Sequence, residues 1–134
     1  VLNKPKYAPI IENYFNKALK KDGITDLNTA FSKEGAFIHI PKNKLVEKPI
    51  QIIHFSSGIE SSLMLQPRNL IIVDENSQLQ IIERHQNLNE NEVLTNSVTE
   101  IFVNPKSIVD YYKIQNDNKQ ASLIDTTSII QENL

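Results

Sequence analysis

The chain has 134 residues, enough for one domain with a hydrophobic core. Its 14 basic and 16 acidic residues give a formal net charge of -2, and no basic tract with interleaved aromatic residues occurs, which argues against a nucleic-acid partner. The absence of cysteine excludes disulfides, thiolate nucleophiles and cysteine-ligated metal within these residues, and the longest apolar runs are far too short to cross a bilayer.

One amphipathic helix is predicted near the N-terminus. Pro9 opens a segment in which apolar residues recur every three or four positions, namely Ile10, Ile11, Tyr14, Phe15, Ala18 and Leu19. Lys20 and Lys21 suit the C-terminal end of a helix dipole, and Gly23 is a natural stop. No second helical period follows, so we expect a single helix.

From Ala30 onward the sequence favours strands. Short runs of β-branched and aliphatic residues, broken by Pro, Asn, Asp, Gly and Ser, predict strands over residues 36–40, 49–55, 70–73, 78–84, 97–103, 108–115 and 121–130. Residues 69–85 also superpose on residues 99–115 at an offset of 30, which aligns Ile71 with Ile101 and Ser77 with Ser107. Residues 37–55 follow the same rhythm, with a longer turn expected at residues 41–44.

This repeat predicts the fold class. A strand–turn–strand unit that cannot bury its own apolar face becomes stable when copies stack and hydrogen-bond to each other. We therefore expect a mainly β protein, a right-handed parallel β-helix (β-solenoid) preceded by a short N-terminal helix, in preference to a β-sandwich.

Several ordered motifs resemble a known family. They are LNTAF (27–31), GAFIHIPK (35–42), EKPIQ (47–51), PRNLIIV (67–73), IERH (82–85), LTNSVTEI (94–101) and YKIQN (112–116). In order and spacing they resemble the central region of the SufD branch of the SufB/SufD family of iron–sulfur cluster assembly proteins. The resemblance covers nearly the whole chain from about Leu27.

The resemblance implies a scaffold protein and not an enzyme. The family's SufB and SufD subunits pair through right-handed parallel β-helices, a C-terminal helical region docks the ATPase SufC, and the full complex builds an iron–sulfur cluster. We thus expect an N-terminal helical segment over residues 1–26, a partial β-helix core over residues 27–134, a cytoplasmic location and no cofactor bound by this segment itself. The ATPase-docking region and the family's cluster-forming cysteine and histidine are expected beyond Leu134.

Two motifs favour SufD over SufB. Where SufB-like chains read approximately Leu-Glu-Gly-Cys, this chain reads Ile82-Glu83-Arg84-His85. Where they read Gln-Asn-Trp, it reads Gln115-Asn116-Asp117. The missing cysteine and tryptophan match the sibling that is not expected to carry the main scaffold thiolates.

Glu83 and His85 are the candidate metal ligands. Residues two apart on a strand face the same way, so this carboxylate and this imidazole could converge on one iron or zinc ion. Two ligands do not define a site, and no third is specified by the sequence. The competing interpretation, which we prefer at this point, is the polar end of a strand.

The other polar residues receive structural interpretations. His39 and His54 are expected as hydrogen-bonded histidines at the edge of a core layer, without a catalytic role. Asn69 and Asn96-Ser97 are expected in asparagine stacks at solenoid turns. The polar break formed by Ser56-Ser57-Gly58 and Ser61-Ser62 lacks a phosphate-loop pattern, so ATP hydrolysis is assigned to a partner.

Two other classes of function remain as alternatives. A carbohydrate-active β-helix enzyme would need acidic or basic clusters stacked on successive rungs, and the offset of 30 aligns Glu83 with Lys113 and His85 with Gln115, so we expect no such cluster. A structural interaction module unrelated to cluster assembly would differ from the leading hypothesis only in its partners. Because a β-helix ends in unpaired strand edges, the 134-residue chain is also expected to self-associate near residues 122–131.

Overall fold

The computed structural model describes residues 5–57, 61–88 and 90–132. Strands make up 48% of the chain, and parallel sheets form a β-solenoid of about three turns behind a short helical N-terminal part, which confirms the predicted fold class. The elements are α1 (Ala8–Tyr14), α2 (Gly23–Phe31), β1 (Phe37–Ile40), β2 (Ile50–Ser56), β3 (Leu63–Leu65), β4 (Arg68–Val73), β5 (Gln78–Asn87), β6 (Val93–Val103), β7 (Ile108–Ile114) and β8 (Ala121–Gln131). Gly58 of the predicted polar break lies outside the described residues.

Two parallel sheets enclose the solenoid interior. One sheet contains β1, β4, β6 and β3 in that order, with β8 also pairing with β6, and the other contains β2, β5 and β7. Strands of the two sheets alternate along the chain, except that β3 and β4 follow each other in the first sheet and pair with successive parts of the long strand β6. Every strand therefore pairs with its counterpart in the next turn and not with its neighbour in sequence.

The predicted offset of 30 residues is the register of the central turns. Ile71 pairs with Ile101 between β4 and β6, and Leu79 pairs with Val109 between β5 and β7. The apolar alternation predicted this register because a slip of one residue would move every core side chain to the opposite face.

The first turn has a different register. Phe37 pairs with Leu70 and Leu45 bridges to Gln78, both at an offset of 33, whereas Ile50 pairs with Ile81 at an offset of 31. Between Leu45 and Ile50 the first turn therefore has two residues more than the second turn has between Gln78 and Ile81. The expectation of a longer turn at residues 41–44 was wrong in its position, because that turn aligns with residues 74–77 without a gap.

The turns stack as regularly as the strands. Asn43, Asn76 and Lys106 have positive φ angles of 60°, 57° and 62°, so each turn contains one residue in the left-handed conformation. Asn76 Nδ2 donates to Asn43 Oδ1 at 2.8 Å, and Ser77 N donates to Ser107 Oγ at 3.1 Å. Hydrogen bonds between successive turns thus continue the ladder where the strands are interrupted.

The apolar core occupies one half of the solenoid interior. Its buried side chains come from both sheets and are Ile40, Ile52, Ile71, Val73, Leu79, Ile81, Ile101 and Val103. A fully buried aliphatic side chain contributes about 1.5–3 kcal/mol, so this layer is the main stabilising element of the fold.

The outer face of the first sheet is covered by the N-terminal part of the chain. Ile11 packs on Leu70, Ile72 and Phe102, joined by partly buried aromatic residues that include Tyr14. Consequently β4 is buried along its whole length, with interior residues on one face and helix contacts on the other. Among the described residues, neither α1 nor α2 has the length and apolar character that crossing a bilayer requires.

The helix prediction was correct at its start and wrong at its end. Pro9 lies in the first turn of α1, but α1 stops at Tyr14 and Asn16 adopts a positive φ of 64°, so Lys20 and Lys21 are not in the helix. Gly23 does not end a helix but begins α2, which the sequence analysis missed. The division at residue 26 falls inside α2, and the proposed domain boundary stays a prediction.

The N-cap of α2 should be measurable in stability. The side chain of Asp22 accepts hydrogen bonds from Ile24 N and Thr25 N, both at 2.9 Å. We expect Asp22→Ala to lower the free energy of unfolding by about 1 kcal/mol, because two helix N–H groups lose their acceptor. Urea unfolding followed by circular dichroism would measure the change. Asp22→Asn keeps an acceptor oxygen and serves as the control, and an equal loss in both variants would contradict this role of the cap.

Candidate functional site

The inner face of β5 changes from apolar to polar along the strand. Leu79 and Ile81 belong to the core, whereas Glu83 and His85 point into the other half of the interior. Glu83 is 0% exposed and His85 8%. The expectation that both side chains share one strand face is confirmed. A fully buried carboxylate requires compensating partners, since burying an isolated charge is very unfavourable.

One carboxylate oxygen of Glu83 faces three nitrogens. His54 Nε2 lies 3.1 Å from Glu83 Oε1, and Asn69 Nδ2 donates to the same oxygen at 3.0 Å. His85 Nε2 lies 3.4 Å from it. The described residues nevertheless offer His85 Nε2 no partner with hydrogen-bond geometry, so this buried nitrogen is unpaired.

The second oxygen of Glu83 faces a hydroxyl group and an ammonium group. The Tyr111 hydroxyl donates to Glu83 Oε2, and Lys113 Nζ lies 3.6 Å from it. Lys113 also forms an ion pair with Asp125 of β8. Side chains of four strands therefore meet around one carboxylate.

These contacts fix the ionisation of Glu83. Burial alone raises the pKa of Glu83, but the hydrogen bond of His54, the adjacent imidazole of His85, the hydrogen bond of Tyr111 and the charge of Lys113 outweigh it and hold the pKa well below its usual range. Burial, followed by the hydrogen bond to this carboxylate, raises the pKa of Tyr111. Glu83 is thus a carboxylate that only accepts hydrogen bonds, and both His54 Nε2 and the Tyr111 hydroxyl donate to it.

The ring of His54 stacks on the ring of His85, which lies in the adjacent turn of the solenoid. The two residues are register partners between β2 and β5, and their ring centroids are 4.5 Å apart with the ring planes 12° from parallel. Possible ligand atoms of His54, Glu83 and His85 all lie within 4.8 Å of one another. The structure therefore supplies the third candidate ligand that the sequence did not specify.

Two predictions about these residues need correction. His54 is hydrogen-bonded as expected, but it contacts Glu83 and so belongs to the cluster. The expectation that no acidic or basic cluster stacks on successive turns was wrong for the two histidines, because it rested on the offset of 30 alone. His54 and His85 are related by an offset of 31, which a comparison including the first turn would have detected.

The remaining predicted residues lie elsewhere. His39 Nε2 is 2.8 Å from Asp74 Oδ2, which confirms a hydrogen-bonded histidine. Asn69 and Asn96 lie in β4 and β6 and do not stack on each other: Asn69 contacts Glu83, whereas Asn96 Nδ2 donates to Gln66 Oε1 at 2.8 Å. The asparagine stack that does form joins the turns at Asn43 and Asn76, so its predicted position was wrong.

The sequence analysis did not identify the buried pair Arg68–Glu100. Arg68 Nη2 donates to Glu100 Oε2 at 2.6 Å, beneath the N-terminal segment. The only sequence signal was a charged residue at each of two positions in strand sequences that are otherwise largely uncharged. The N-terminal segment covers the outer face of the first sheet, which explains why Arg68 and Glu100 are polar there.

Two family models match the chain along its length. The model of the SufBD protein N-terminal region matches residues 3–52, and the model of the SUF system iron–sulfur cluster assembly SufBD core domain matches residues 54–133. The core-domain match alone covers more than half of the chain.

Two relatives agree with these models. An iron–sulfur cluster assembly SufBD family protein of Synechocystis is 29% identical in an alignment of 132 residues that covers 90% of this chain and 29% of that protein. The iron–sulfur cluster assembly protein SufD of Bacillus subtilis is 26% identical in an alignment of 115 residues that covers 83% of this chain and 26% of that protein. The chain thus spans less than a third of the length of either relative, and no solved structure is significantly similar to it. Over the residues that it covers, the chain belongs to the SufBD family of iron–sulfur cluster assembly proteins.

Proposed function

We propose that this chain forms part of the β-helix of a SufD-like subunit in a cytoplasmic scaffold complex for iron–sulfur cluster assembly. The observation that carries the proposal is the pair of adjacent SufBD matches, which run in family order over residues 3–52 and 54–133 of a β-solenoid. The subunit is non-catalytic by itself. It pairs with a SufB-like subunit through the β-helix, and a SufC-like ATPase docks on another region of the full-length protein.

The cluster in this proposal is the cargo of the complex. Iron–sulfur clusters are held mainly by cysteine thiolates, and none of the 134 residues is cysteine. Thiolate ligands therefore come from other parts of the assembly. A carbohydrate-active function lacks comparable support, because the carboxylate of Glu83 is fully buried and cannot contact a polysaccharide.

The outer face of the second sheet is a candidate surface for the SufB-like partner. Ile53, Phe55, Tyr112 and Ile114 are exposed there, on β2 and β7. Exposed apolar side chains grouped on one sheet face are typical of a protein-interaction surface. Phe55 is 62% exposed, and so is Phe31 of α2, which does not belong to this sheet.

The experiment is co-purification of the full-length parent protein with the SufB-like and SufC-like proteins of its organism. We expect one complex that contains all three, with its mass measured by light scattering. Phe55→Glu should weaken retention of the SufB-like protein at least about tenfold, because a charge would be buried in the interface, whereas the equally exposed Phe31→Glu should not. If the parent binds neither protein, the alternative of an interaction module with other partners replaces this proposal.

A further inference from the structure

We propose that His54, Glu83 and His85 form a binding site for a divalent transition-metal ion, zinc(II) or iron(II), inside the solenoid. Two imidazoles and one carboxylate are a ligand set that both ions accept. The inference goes beyond the proposed function, which assigns no metal to these residues.

The spacing of the ligand atoms suits one ion. A tetrahedral ion with metal–nitrogen and metal–oxygen bonds of about 2.0–2.2 Å holds neighbouring ligand atoms about 3.4 Å apart. Glu83 Oε1 lies 3.1 Å from His54 Nε2 and 3.4 Å from His85 Nε2. Both distances thus match the edge of such a polyhedron. Because imidazole lone pairs lie in the ring plane and the two rings are only 12° from parallel, metal binding requires the rings to rotate out of their stack so that both nitrogens point at the ion.

A second observation points to a ligand. The side chain of His85 is 91% buried, as its relative exposure is 9%, and its Nε2 has no hydrogen-bond partner among the described residues. Buried polar atoms are nearly always paired, so an unpaired imidazole nitrogen beside a carboxylate needs an explanation. A metal ion bound by Nε2 would provide the missing partner.

Binding requires the Nε2 lone pair of His54. In the metal-free protein His54 Nε2 donates its proton to Glu83 Oε1. The ion takes the place of this proton, and a neutral imidazole then carries its proton on Nδ1, so the Nε2 lone pair becomes a ligand.

The charges around the cluster permit a cation. Lys113 faces the second oxygen of Glu83 and opposes a positive ion, but Asp125 pairs with Lys113 and neutralises it. A cavity of about 230 Å³ is lined by His54 and His85, together with Ser56, Gln86 and Asp117. Glu83 does not line this cavity, so water would reach a bound ion from the side of the two histidines, as at an open metal site.

The test is metal titration of the full-length parent protein without its partners. The protein is stripped with a chelator, and zinc(II) is titrated against a competing chromogenic chelator, with iron(II) titrated separately under anaerobic conditions. We expect His54→Gln and His85→Gln each to weaken binding at one site by at least about tenfold. The control is His39→Gln, whose histidine pairs with Asp74 outside the cluster and whose affinity should not change. If wild-type protein binds no ion, or if His54→Gln binds as tightly as wild type, the site is wrong.

A second measurement requires no variant. The side chains of His39 and His54 are similarly exposed, at 23% and 16%. Zinc(II) should protect His54 but not His39 from carbethoxylation, as read by peptide mass spectrometry. Equal labelling of His54 with and without the ion would overturn the inference even if the variants failed to fold. Because no partner protein is present, either result is independent of whether the chain pairs with a SufB-like subunit.

Discussion

Replacing Glu100 by methionine is expected to lower the free energy of unfolding by about 3–5 kcal/mol, because it leaves the buried guanidinium of Arg68 without its counter-ion. Glu100 also accepts hydrogen bonds from Asn16 N and Ala18 N, both at 2.9 Å. These bonds attach the segment after α1 to the outer face of β6. We therefore expect the variant to lose the docking of the N-terminal segment before the solenoid itself unfolds.

Urea unfolding would measure the loss of stability, and limited proteolysis would show whether cleavage begins near Asn16. Arg68→Met combined with Glu100→Met removes both charges and should recover part of the loss, since no uncompensated charge stays buried. The control is Lys42→Gln, which breaks the exposed pair of Lys42 with Glu75 and should change stability by less than about 1 kcal/mol. Similar losses for Glu100→Met and Lys42→Gln would contradict the role of the buried pair.

Arg68 explains why this pair matters beyond its two charges. Its guanidinium carbon lies 4.6 Å from the ring centroid of Phe15, and Nη2 donates to Asn16 Oδ1 at 2.6 Å. Nη1 lies 3.4 Å from Thr29 Oγ1 of α2. One side chain at the start of β4 therefore contacts the segment after α1, the helix α2 and, through Glu100, the neighbouring strand.

The sequence predicted the solenoid where apolar alternation and turn residues agree. Ile71, Ile101 and the two turn serines Ser77 and Ser107 recur at 30 residues, and their pairing in the structure follows that offset. Register is strongly specified here because the interior face is apolar and a slip would expose it. The first turn has two more residues after Leu45, so a comparison at a single offset could not align His54 with His85.

The helix α2 was missed although apolar residues recur in it at helical spacing, namely Ile24, Leu27 and Phe31. Thr25 and Asn28 are its buried positions, and Asn28 Nδ2 donates to the carbonyl oxygens of Pro67 and Asn96 at 3.0 and 2.8 Å. Ile24 and Phe31 are exposed, so α2 docks through its polar face and its apolar period does not mark the contact. Its remaining signal was Asp22 as an N-cap before Gly23, a dipeptide that equally suits a turn.

The interior cluster was predicted only in part, because its members come from several strands. Glu83 and His85 were identified because they are neighbours on one strand. The partners that define their chemistry, His54, Tyr111 and Asp125, come from three other strands. The alignment of Lys113 with Glu83 followed from the offset of 30, although no contact was predicted from it, whereas the contact of Lys113 with Asp125 depends on β8, whose offset from β6 is 28.

Gly35→Ala is expected to lower the free energy of unfolding by roughly 2–5 kcal/mol, through backbone strain and steric overlap together. Gly35 has a φ of 152°, which residues with a side chain rarely adopt. A Cβ at this position would lie 1.7 Å from the carbonyl oxygen of Arg68. Because the obstacle is backbone, no side-chain rotation relieves the overlap. The strand β4 and the loop before β1 would have to separate, which breaks the 2.9 Å hydrogen bond from Arg68 N to Glu34 O.

The matched control is Gly23→Ala at the first position of α2. A Cβ there would meet no atom within 4 Å, so the substitution should be neutral or stabilise by up to about 1 kcal/mol, because alanine restricts the unfolded chain. Urea unfolding of both variants separates the local contact from the general cost of losing a glycine. Equal stabilities would show that the approach of Gly35 to β4 is not required. A large loss confined to Gly35→Ala would identify this contact as the point where the N-terminal part of the chain fits against the solenoid. The contact is with the backbone of Arg68, the residue whose guanidinium also connects the two.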